Sequence, residues 1–362
     1  VGLLTNSMRA DLGIMISASH NEHNDNGIKF FGPDGYKLSD EAEFEIESLI
    51  SEGVDCVFPE HIGRAKRIDD GRYRYIERVK SSFPNQMRLD GLKVVIDCAN
   101  GAGYRAAPEV LWELGAEVIP IGVSPDGRNI NLNCGSTSPT VAAETVVAHG
   151  ADVAICLDGD ADRVLLIDEK GSPIDGDQFL GMIGARWFKE GKLANETLVS
   201  TVMSNMRLET FLNQEGITLV RTSVGDRYVV ERMRLNGFNL GGEKSGHVVM
   251  MDYSTTGDGL MAGLQFLAEM IRKGEPASVV GRPFDLAPQR TENITYSVEK
   301  NPLNDPSVIK IISESEKKLS GLGRLLVRKS GTEKLIRVMV EAEDISILDA
   351  TMASITSTIK GL

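Results

Sequence analysis

Ala151-Asp152-Val153-Ala154-Ile155-Cys156-Leu157-Asp158-Gly159-Asp160-Ala161-Asp162-Arg163 runs an apolar stretch directly into an acidic turn. The apolar half has the continuous hydrophobicity of a strand buried on both faces, as in a parallel sheet covered by helices. The acidic half sets three carboxylates at alternate positions on a tight turn, where they repel one another unless a cation lies between them. Carboxylate oxygens are hard donors, so that cation is Mg2+ or Ca2+ and not a metal that favours thiolate or imidazole.

Two other readings of the turn are weaker. Asp158, Asp160, Asp162 and Glu169 match ligand positions 1, 3, 5 and 12 of a helix-loop-helix calcium site, but position 6 must be glycine and here it is Arg163. Residues 164–167 are moreover a buried-strand run, unsuited to a solvated ligand loop. An aspartyl phosphatase motif places Thr or Val two residues after its second Asp, where this chain has Asp162.

On both sides of this stretch, strand and helix patterns alternate. The first region predicts a helix over 1–12, a short strand over 13–17 and an amphipathic helix over 40–52. Beyond Arg88 come a strand at 92–97, a helix at 103–114, a strand at 117–121, a helix at 140–149 and then the strand leading into the acidic turn. A third region repeats the alternation with strands at 198–202, 219–222 and 238–240 and helices at 207–215, 226–235 and 257–273. Such alternation means mostly parallel sheets with helices on their faces. After Gly274-Glu275-Pro276 and Arg282-Pro283 the pattern changes to strands at 295–298, 323–327 and 336–342 with helices at 306–319 and 345–359, a small α+β domain. The chain opens on Val1, in a helix that feeds a central strand; a parallel sheet begun this way is expected to lack its first strands, as a fragment would.

At 362 residues the chain exceeds the size at which a single core keeps growing, so two to four domains are expected. A net charge of -13 argues against nucleic acid and anionic membranes as partners, and no stretch reads as a membrane span or signal peptide. Cys56, Cys98, Cys134 and Cys156 are widely spaced, with no Cys-x-x-Cys pair, which suits reduced thiols in a cytoplasmic protein.

Four further motifs carry polar chemistry at the ends of predicted strands, where open α/β sheets bind ligands. Ser17-Ala18-Ser19-His20-Asn21 can hold a covalent group while neighbouring donors grip the transferred moiety. The plain alternative is a polar turn, but Asp25-Asn26-Gly27-Ile28-Lys29 follows at once and lets Lys29 reach back as phosphate partner or proton carrier. Gly241-Gly242-Glu243-Lys244-Ser245-Gly246-His247 offers Glu243 and Ser245 to vicinal sugar hydroxyls, with His247 for acid-base chemistry or orientation. In Thr222-Ser223-Val224-Gly225-Asp226-Arg227, Asp226 reads equally well as a helix N-cap. Arg328-Lys329-Ser330-Gly331-Thr332-Glu333-Lys334, with Arg337 just beyond, concentrates positive charge, hydroxyls and backbone amides as a phosphate cradle does.

Taken together, the motifs resemble those of the α-D-phosphohexomutase superfamily, in the same order along the chain. The phosphoserine loop resembles Ser17 to Asn21, the metal loop Asp158 to Arg163, the sugar loop Glu243 to His247 and the phosphate loop Arg328 to Thr332. Within the superfamily, Ile16 to Asn21, Asp25 to Phe31 and Gly242 to His247 look most like the bacterial phosphoglucosamine mutase family. The resemblance implies three consecutive mixed or parallel-sheet α/β domains plus a smaller C-terminal α+β domain around a central cleft. Their expected spans are 1–74, 75–172, 173–287 and 288–362.

It also implies a reaction, the interconversion of glucosamine 6-phosphate and glucosamine 1-phosphate through a bisphosphate, feeding UDP-N-acetylglucosamine and cell-wall synthesis. Ser19 would carry the phosphoryl group, and one Mg2+ would be held by Asp158, Asp160, Asp162 and a phosphate oxygen on Ser19. Arg163 would steady the phosphoryl group with His20 and Lys29 close by, and either Lys29 or His247 would move the proton. Arg227, Glu243, Ser245, Arg328, Ser330, Gly331, Thr332 and Arg337 would bind substrate, a phosphorylated hexosamine, with glucosamine or glucose 1,6-bisphosphate as intermediate or activator. The resemblance leaves a homodimer open.

The chain departs from the pattern at Lys329 and Lys334, where prolines are common, at Glu22 after the Ser-His-Asn triplet, and in the absence of the family's opening segment with its active-site arginine. Two alternatives follow: a mutase preferring glucose or mannose phosphates, and a chain that binds Mg2+ and sugar phosphate without turnover.

Overall fold

Residues 1–54, 56–296, 302–329 and 334–361 are described by the computed structural model of the chain. It divides into two compact units, one formed by Val1–Met203 with Glu215–Pro283 and the other by Ser204–Gln214 with Phe284–Leu362.

In the first unit, α1 (Gly2–Ser7) leads to β1 (Gly13–Ile16), which pairs antiparallel with β2 (Ile28–Phe31). The helix is shorter than predicted because Arg9 takes a left-handed φ of 55°, which a helix cannot continue through. The sheet here is a two-stranded antiparallel ribbon and not the expected parallel one. The helix predicted at 40–52 forms as α2 (Asp40–Glu52), its N-cap Ser39 accepting a bond from the Ala42 amide.

After α3 (Gly71–Ser82) comes a five-stranded sheet. Its elements are β3 (Lys93–Asp97), α4 (Ala106–Glu113), β4 (Glu117–Ile121), α5 (Thr140–His149), β5 (Val153–Leu157), β6 (Val164–Asp168) and β7 (Pro173–Ile174). The order is β4-β3-β5-β6-β7, parallel through β4, β3 and β5 and antiparallel through β6 and β7. β5 is buried along its whole length, as its unbroken apolar run requires. The helix predicted at 103–114 is split, with a 3-10 turn at Ala102–Tyr104 ahead of α4.

Then follow α6 (Gly176–Lys189), β8 (Thr197–Thr201), α7 (Met206–Gln214, part of the second unit), β9 (Thr218–Thr222) and α8 (Asp226–Asn236). β10 (Leu240–Gly242), β11 (Val248–Met250), α9 (Gly259–Lys273) and α10 (Ala277–Val280) complete the first unit. The sheet order is β11-β10-β8-β9, with β8 parallel to both β9 and β10. The strand predicted at 238–240 starts only at Leu240. Gly237 closes α8 in a left-handed conformation, and the Phe238 amide still bonds back to the Met233 carbonyl.

The second unit holds β12 (Gln289–Thr295), α11 (Pro306–Leu319), β13 (Gly323–Lys329), β14 (Leu335–Ala342) and α12 (Ile345–Lys360). Its antiparallel sheet runs β12-β14-β13 around a core of Ile294, Val308, Leu319, Ile336, Val338, Val340, Leu348, Met352 and Ile355. The strand predicted at 295–298 lies earlier, at Gln289–Thr295, and 297–298 fall outside the described residues. Among the described residues no helix is long and apolar enough to cross a membrane.

Candidate active site

β5 and β6 form a hairpin, with Leu157 paired to Val164, and the acidic hexapeptide is its connection. The turn is tightened by a bond from the Ala161 amide to the Asp158 carbonyl and by a left-handed Ala161, φ 62°. Asp158 is wholly buried, and its Oδ1 accepts the Arg163 amide at 3.1 Å. Ligand-capable oxygens of Asp158, Asp160 and Asp162 lie within 4.8 Å of one another.

The serine loop leaves β1 and returns along β2, pinned at its neck by the Ser17 amide bonding to the Gly27 carbonyl. The Ser19 amide donates to Ser17 Oγ at 2.9 Å, and Ser19 itself takes a left-handed φ of 55°. This aims Ser19 Oγ at Asp158 Oδ2, 3.4 Å away, while Ser17 Oγ donates to Asp160 Oδ2 at 3.3 Å. Gly159 lets the two loops meet, since a Cβ there would come within 2.7 Å of the Ser19 carbonyl oxygen.

β2 delivers Lys29 to the same place, its Nζ 2.6 Å from Asp160 and 3.7 Å from Asp162. Burial alone pulls this ammonium down, but Asp160 and Asp162 together outweigh it and raise its pKa above the ordinary lysine value. Lys29 is therefore charged at neutral pH. Burial, and then the neighbouring Asp162 and Asp160, push the Asp158 carboxyl well above the usual range. For Asp162 burial acts upward too, but His247, Lys29 and Arg163 outweigh it and hold this carboxyl well below the usual range. Partial desolvation by its neighbours, with the nearby Arg163 next in size, pulls His20 down.

His247 directly precedes β11 and is almost fully buried. Its Nδ1 lies 3.7 Å from Asp162, and its Nε2, which accepts the Gly257 amide at 3.2 Å, lies 3.8 Å from Asp226. Asp226 is the first residue of α8, following the cap residue Gly225, and is not the plain N-cap that its position also allowed. It pairs with Lys37, and Lys37 and His247 hold its carboxyl below the usual range against the upward push of burial. Asp162, Asp226 and His247 also cluster closely enough to hold a cation. The Gly257 amide already occupies Nε2, however, whereas the three-aspartate turn offers carboxylate oxygens alone, the donors a hard dication favours, so it is the better donor set.

The donor set fits a hard dication. Among the described residues Asp160 Oδ1, Asp162 Oδ1 and Arg163 Nε are buried without a hydrogen-bond partner. Two anionic oxygens and one cationic nitrogen left unsatisfied at one turn call for a cation and an anion together.

The other predicted residues fall in three places. Glu243 accepts the Gly225 amide at 3.1 Å, so the sugar loop and the turn before α8 are tied together, and Ser245 is exposed on the loop between β10 and β11. Arg227 forms ion pairs with Asp40 and Glu43 of α2. Arg328 and Arg337 belong to the second unit, where they face each other across β13 and β14. Arg337 Nε donates to Asn293 Oδ1 at 2.9 Å, and burial together with Arg337 pulls the Arg328 guanidinium below its ordinary value. Ser330, Gly331 and Thr332 lie outside the described residues.

The sequence reading missed Lys37, Gly257 and Asn131, and it gave Ser17 no role of its own within the serine motif. The Asn131 side chain reaches the carbonyls of Ser19 and Asn21, from a loop 110 or more residues away. Its only local signal was the run of asparagines at 129, 131 and 133.

Comparison with known proteins adds independent findings. Residues 1–55, 73–171 and 175–283 match alpha/beta/alpha domains I, II and III of phosphoglucomutase/phosphomannomutase, and residues 292–357 match its C-terminal domain. A phosphoglucosamine mutase of a Ruegeria species is 64% identical over 360 residues, spanning 99% of this chain and 80% of that protein. That of Roseobacter denitrificans is 66% identical over 359 residues, with the same coverage. Among solved structures, a phosphoglucomutase/phosphomannomutase family protein from Burkholderia thailandensis gives a TM-score of 0.79 at 20% identity, over 98% of this chain and 77% of that one. The Aspergillus fumigatus N-acetylphosphoglucosamine mutase, solved with GlcNAc-6P and magnesium, gives 0.73 at 19% identity over 99% and 91%. At such identities the structural likeness speaks to the fold alone.

Proposed function

The chain belongs to the phosphoglucomutase/phosphomannomutase family of α-D-phosphohexomutases, and on that premise we propose that it interconverts glucosamine 6-phosphate and glucosamine 1-phosphate. The observation that carries the mechanism is Ser19 Oγ held against a three-carboxylate turn that Lys29 already bridges.

In the first half-reaction the Ser19 Oγ–P bond breaks as a sugar hydroxyl oxygen bonds to the same phosphorus, giving glucosamine 1,6-bisphosphate. The hydroxyl proton passes to a base, and the departing Ser19 Oγ keeps the electron pair of the broken bond and takes up a proton, which leaves the serine as its hydroxyl. Lys29, held charged by Asp160 and Asp162, suits donation to phosphoryl oxygens, which leaves His247 as the base, at the cost of its bond from Gly257. In the second half-reaction the bisphosphate, turned round, returns its other phosphoryl group to Ser19. Asp158, Asp160 and Asp162 would hold Mg2+, with an oxygen of the phosphoserine as a further ligand, and the ion supplies positive charge against the transferring group. The buried Arg163 Nε is free to meet a phosphoryl oxygen.

Glu243 and Ser245 take the sugar hydroxyls, and Arg227 joins them by exchanging its α2 carboxylates for substrate. Arg328, Ser330, Gly331, Thr332 and Arg337 are assigned to the distal phosphate by resemblance; the facing guanidiniums of Arg328 and Arg337 support the assignment, since like charges across a ladder are unfavourable without an anion. Domain spans of 1–74, 75–172, 173–287 and 288–362 and a cytoplasmic location complete the reading. The free state of Cys56, Cys98, Cys134 and Cys156 suits that location.

Intact-mass measurement is expected to find one phosphoryl group on Ser19, and a coupled assay to find faster turnover of glucosamine than of glucose phosphates. Ser19→Ala is expected to lower kcat by about 1,000-fold or more, as loss of a covalent nucleophile does. Faster turnover of glucose phosphates would overturn the substrate, and unchanged turnover of Ser19→Ala the mechanism.

A further inference from the structure

Three loops converge behind Ser19, and the third has no part in the chemistry above. It joins β4 to α5, and from it the Asn131 side chain, only 5% exposed, donates from one Nδ2 to the Ser19 carbonyl at 2.9 Å and to the Asn21 carbonyl at 2.7 Å. Both neighbours are acceptors, so the orientation of the amide is fixed.

The loop is itself anchored. The Asn131 amide bonds to the Ala99 carbonyl, and the buried Asp97 at the end of β3 accepts the amides of Ala99 and Gly135 on either side. On the remaining side a Cβ at Gly159 would come within 2.7 Å of both Asn131 Nδ2 and the Ser19 carbonyl oxygen. Ser19 meanwhile holds the left-handed backbone that turns its Oγ toward Asp158, a conformation serine does not favour.

We propose that Asn131 is a positioning residue for phosphoryl transfer: by clamping the two carbonyls that flank His20, it holds the Ser19 backbone in the conformation that keeps Oγ against the acidic turn through both half-reactions. The proposal rests on the reading of Ser19 as the phosphoryl carrier. Asn131 touches neither substrate nor the reacting atoms, and its effect falls on the rate of transfer and not on substrate affinity.

Three variants at this position and one control test it in the full chain. Asn131→Asp keeps the shape but sets a carboxylate against two carbonyl oxygens, Asn131→Ala removes the clamp, and Asn131→Ser keeps one shorter donor should the others fold poorly. Asn129→Ala disturbs the same loop, where its side chain accepts from Asp126 and donates to Ser124, without touching the serine loop. Asn131→Asp is expected to lower kcat about 100-fold, as misplacement of a reacting group by an ångström does, with KM within about threefold. Phosphorylation of Ser19 by glucose 1,6-bisphosphate should slow by the same factor, and Asn131→Ser should fall between. Asn129→Ala should lower the melting temperature and leave kcat within about twofold.

Unchanged Ser19 phosphorylation and kcat in the Asn131 variants would overturn the proposal. So would an Asn129→Ala variant as slow as Asn131→Ala, which would mean that the loop acts through stability alone. If Ser19→Ala itself turns over normally, the reading of the site fails and this proposal with it; if Ser19 is essential and the Asn131 variants are normal, the positioning role alone fails.

Discussion

Asp258 caps α9 by accepting the Met261 amide at 2.8 Å, and the Tyr75 hydroxyl donates to it at 3.0 Å. Burial nevertheless pushes its carboxyl up to about 6, against the opposing pull of those two donors. A folded-state pKa above the unfolded value of 3.8 means that the folded protein binds this proton more tightly. The stabilisation is therefore complete below about pH 4 and lost as the pH rises through about 6. Asn at this position still caps the helix and never ionises. Asp258→Asn should gain on the natural chain as the pH rises from 4 to 7, by roughly 1–3 kcal/mol, read as urea midpoints at each pH. A difference that stays constant with pH would count against it. At this scale the sequence was legible where chemistry is local. Asp158, Asp160 and Asp162 announce a cation because they are neighbours in the chain. Asn131 and Lys37 were not legible, because each acquires its partner only through tertiary contact, Asn131 at Ser19 and Lys37 at Asp226.

Elements supply what single residues cannot, chiefly close approach. The β5–β6 hairpin and the serine loop touch at Gly159, where an added Cβ would meet the Ser19 carbonyl oxygen and Asn131 Nδ2 at 2.7 Å and Ile130 at 2.9 Å. Two of those neighbours belong to the serine loop's backbone and its clamp, so the loops must separate to admit a methyl group. Gly159→Ala is expected to lower stability by about 1–3 kcal/mol and kcat by tenfold or more. Gly191→Ala is the comparison: its φ of 67° strains any side chain, but nothing lies within 4 Å of an added Cβ. It should lose about 1 kcal/mol and keep its kcat, as steady-state assays and denaturant midpoints would register. Element reading from sequence was good where periodicity and caps agree, as at α2 and α11, whose predicted bounds form unchanged. It was poor at β12, Gln-Arg-Thr-Glu-Asn-Ile-Thr, because only Ile294 of that strand is buried and an edge strand with one apolar contact leaves little alternation to read. The early start given to β10 has a similar cause, since apolar Phe238 belongs by its hydrogen bond to the end of α8.

At the scale of the whole molecule, the three-carboxylate turn belongs to one compact unit and the facing arginines to the other. Mg2+ should therefore stabilise the first unit and leave the second alone. At a concentration near 100 times its Kd the gain is about 2–3 kcal/mol. Calorimetry with Mg2+ and with a chelator should move one transition and not the other, and Asp160→Asn should shrink the shift. A chain whose unfolding ignores Mg2+ would contradict the metal assignment. Chain order and alternation made the division into α/β regions and a C-terminal α+β unit legible. The intervening segment Ser204–Gln214, which joins the C-terminal unit, was not, because α7 has the same amphipathic pattern whichever unit it packs with.

Arg328 opposite Arg337 has a consequence in time as well as in energy. Each pairs with its neighbour strand against the mutual repulsion of two guanidiniums, which is expected to make this part of the β13–β14 ribbon open more readily than it would with the charge neutralised. An anion settling between the two arginines would slow that breathing before it changed any equilibrium shape. Amide hydrogen exchange at β13 and β14 should slow on adding inorganic phosphate and stay fast in chloride of equal ionic strength, so that the ribbon would report an arriving anion as a loss of motion.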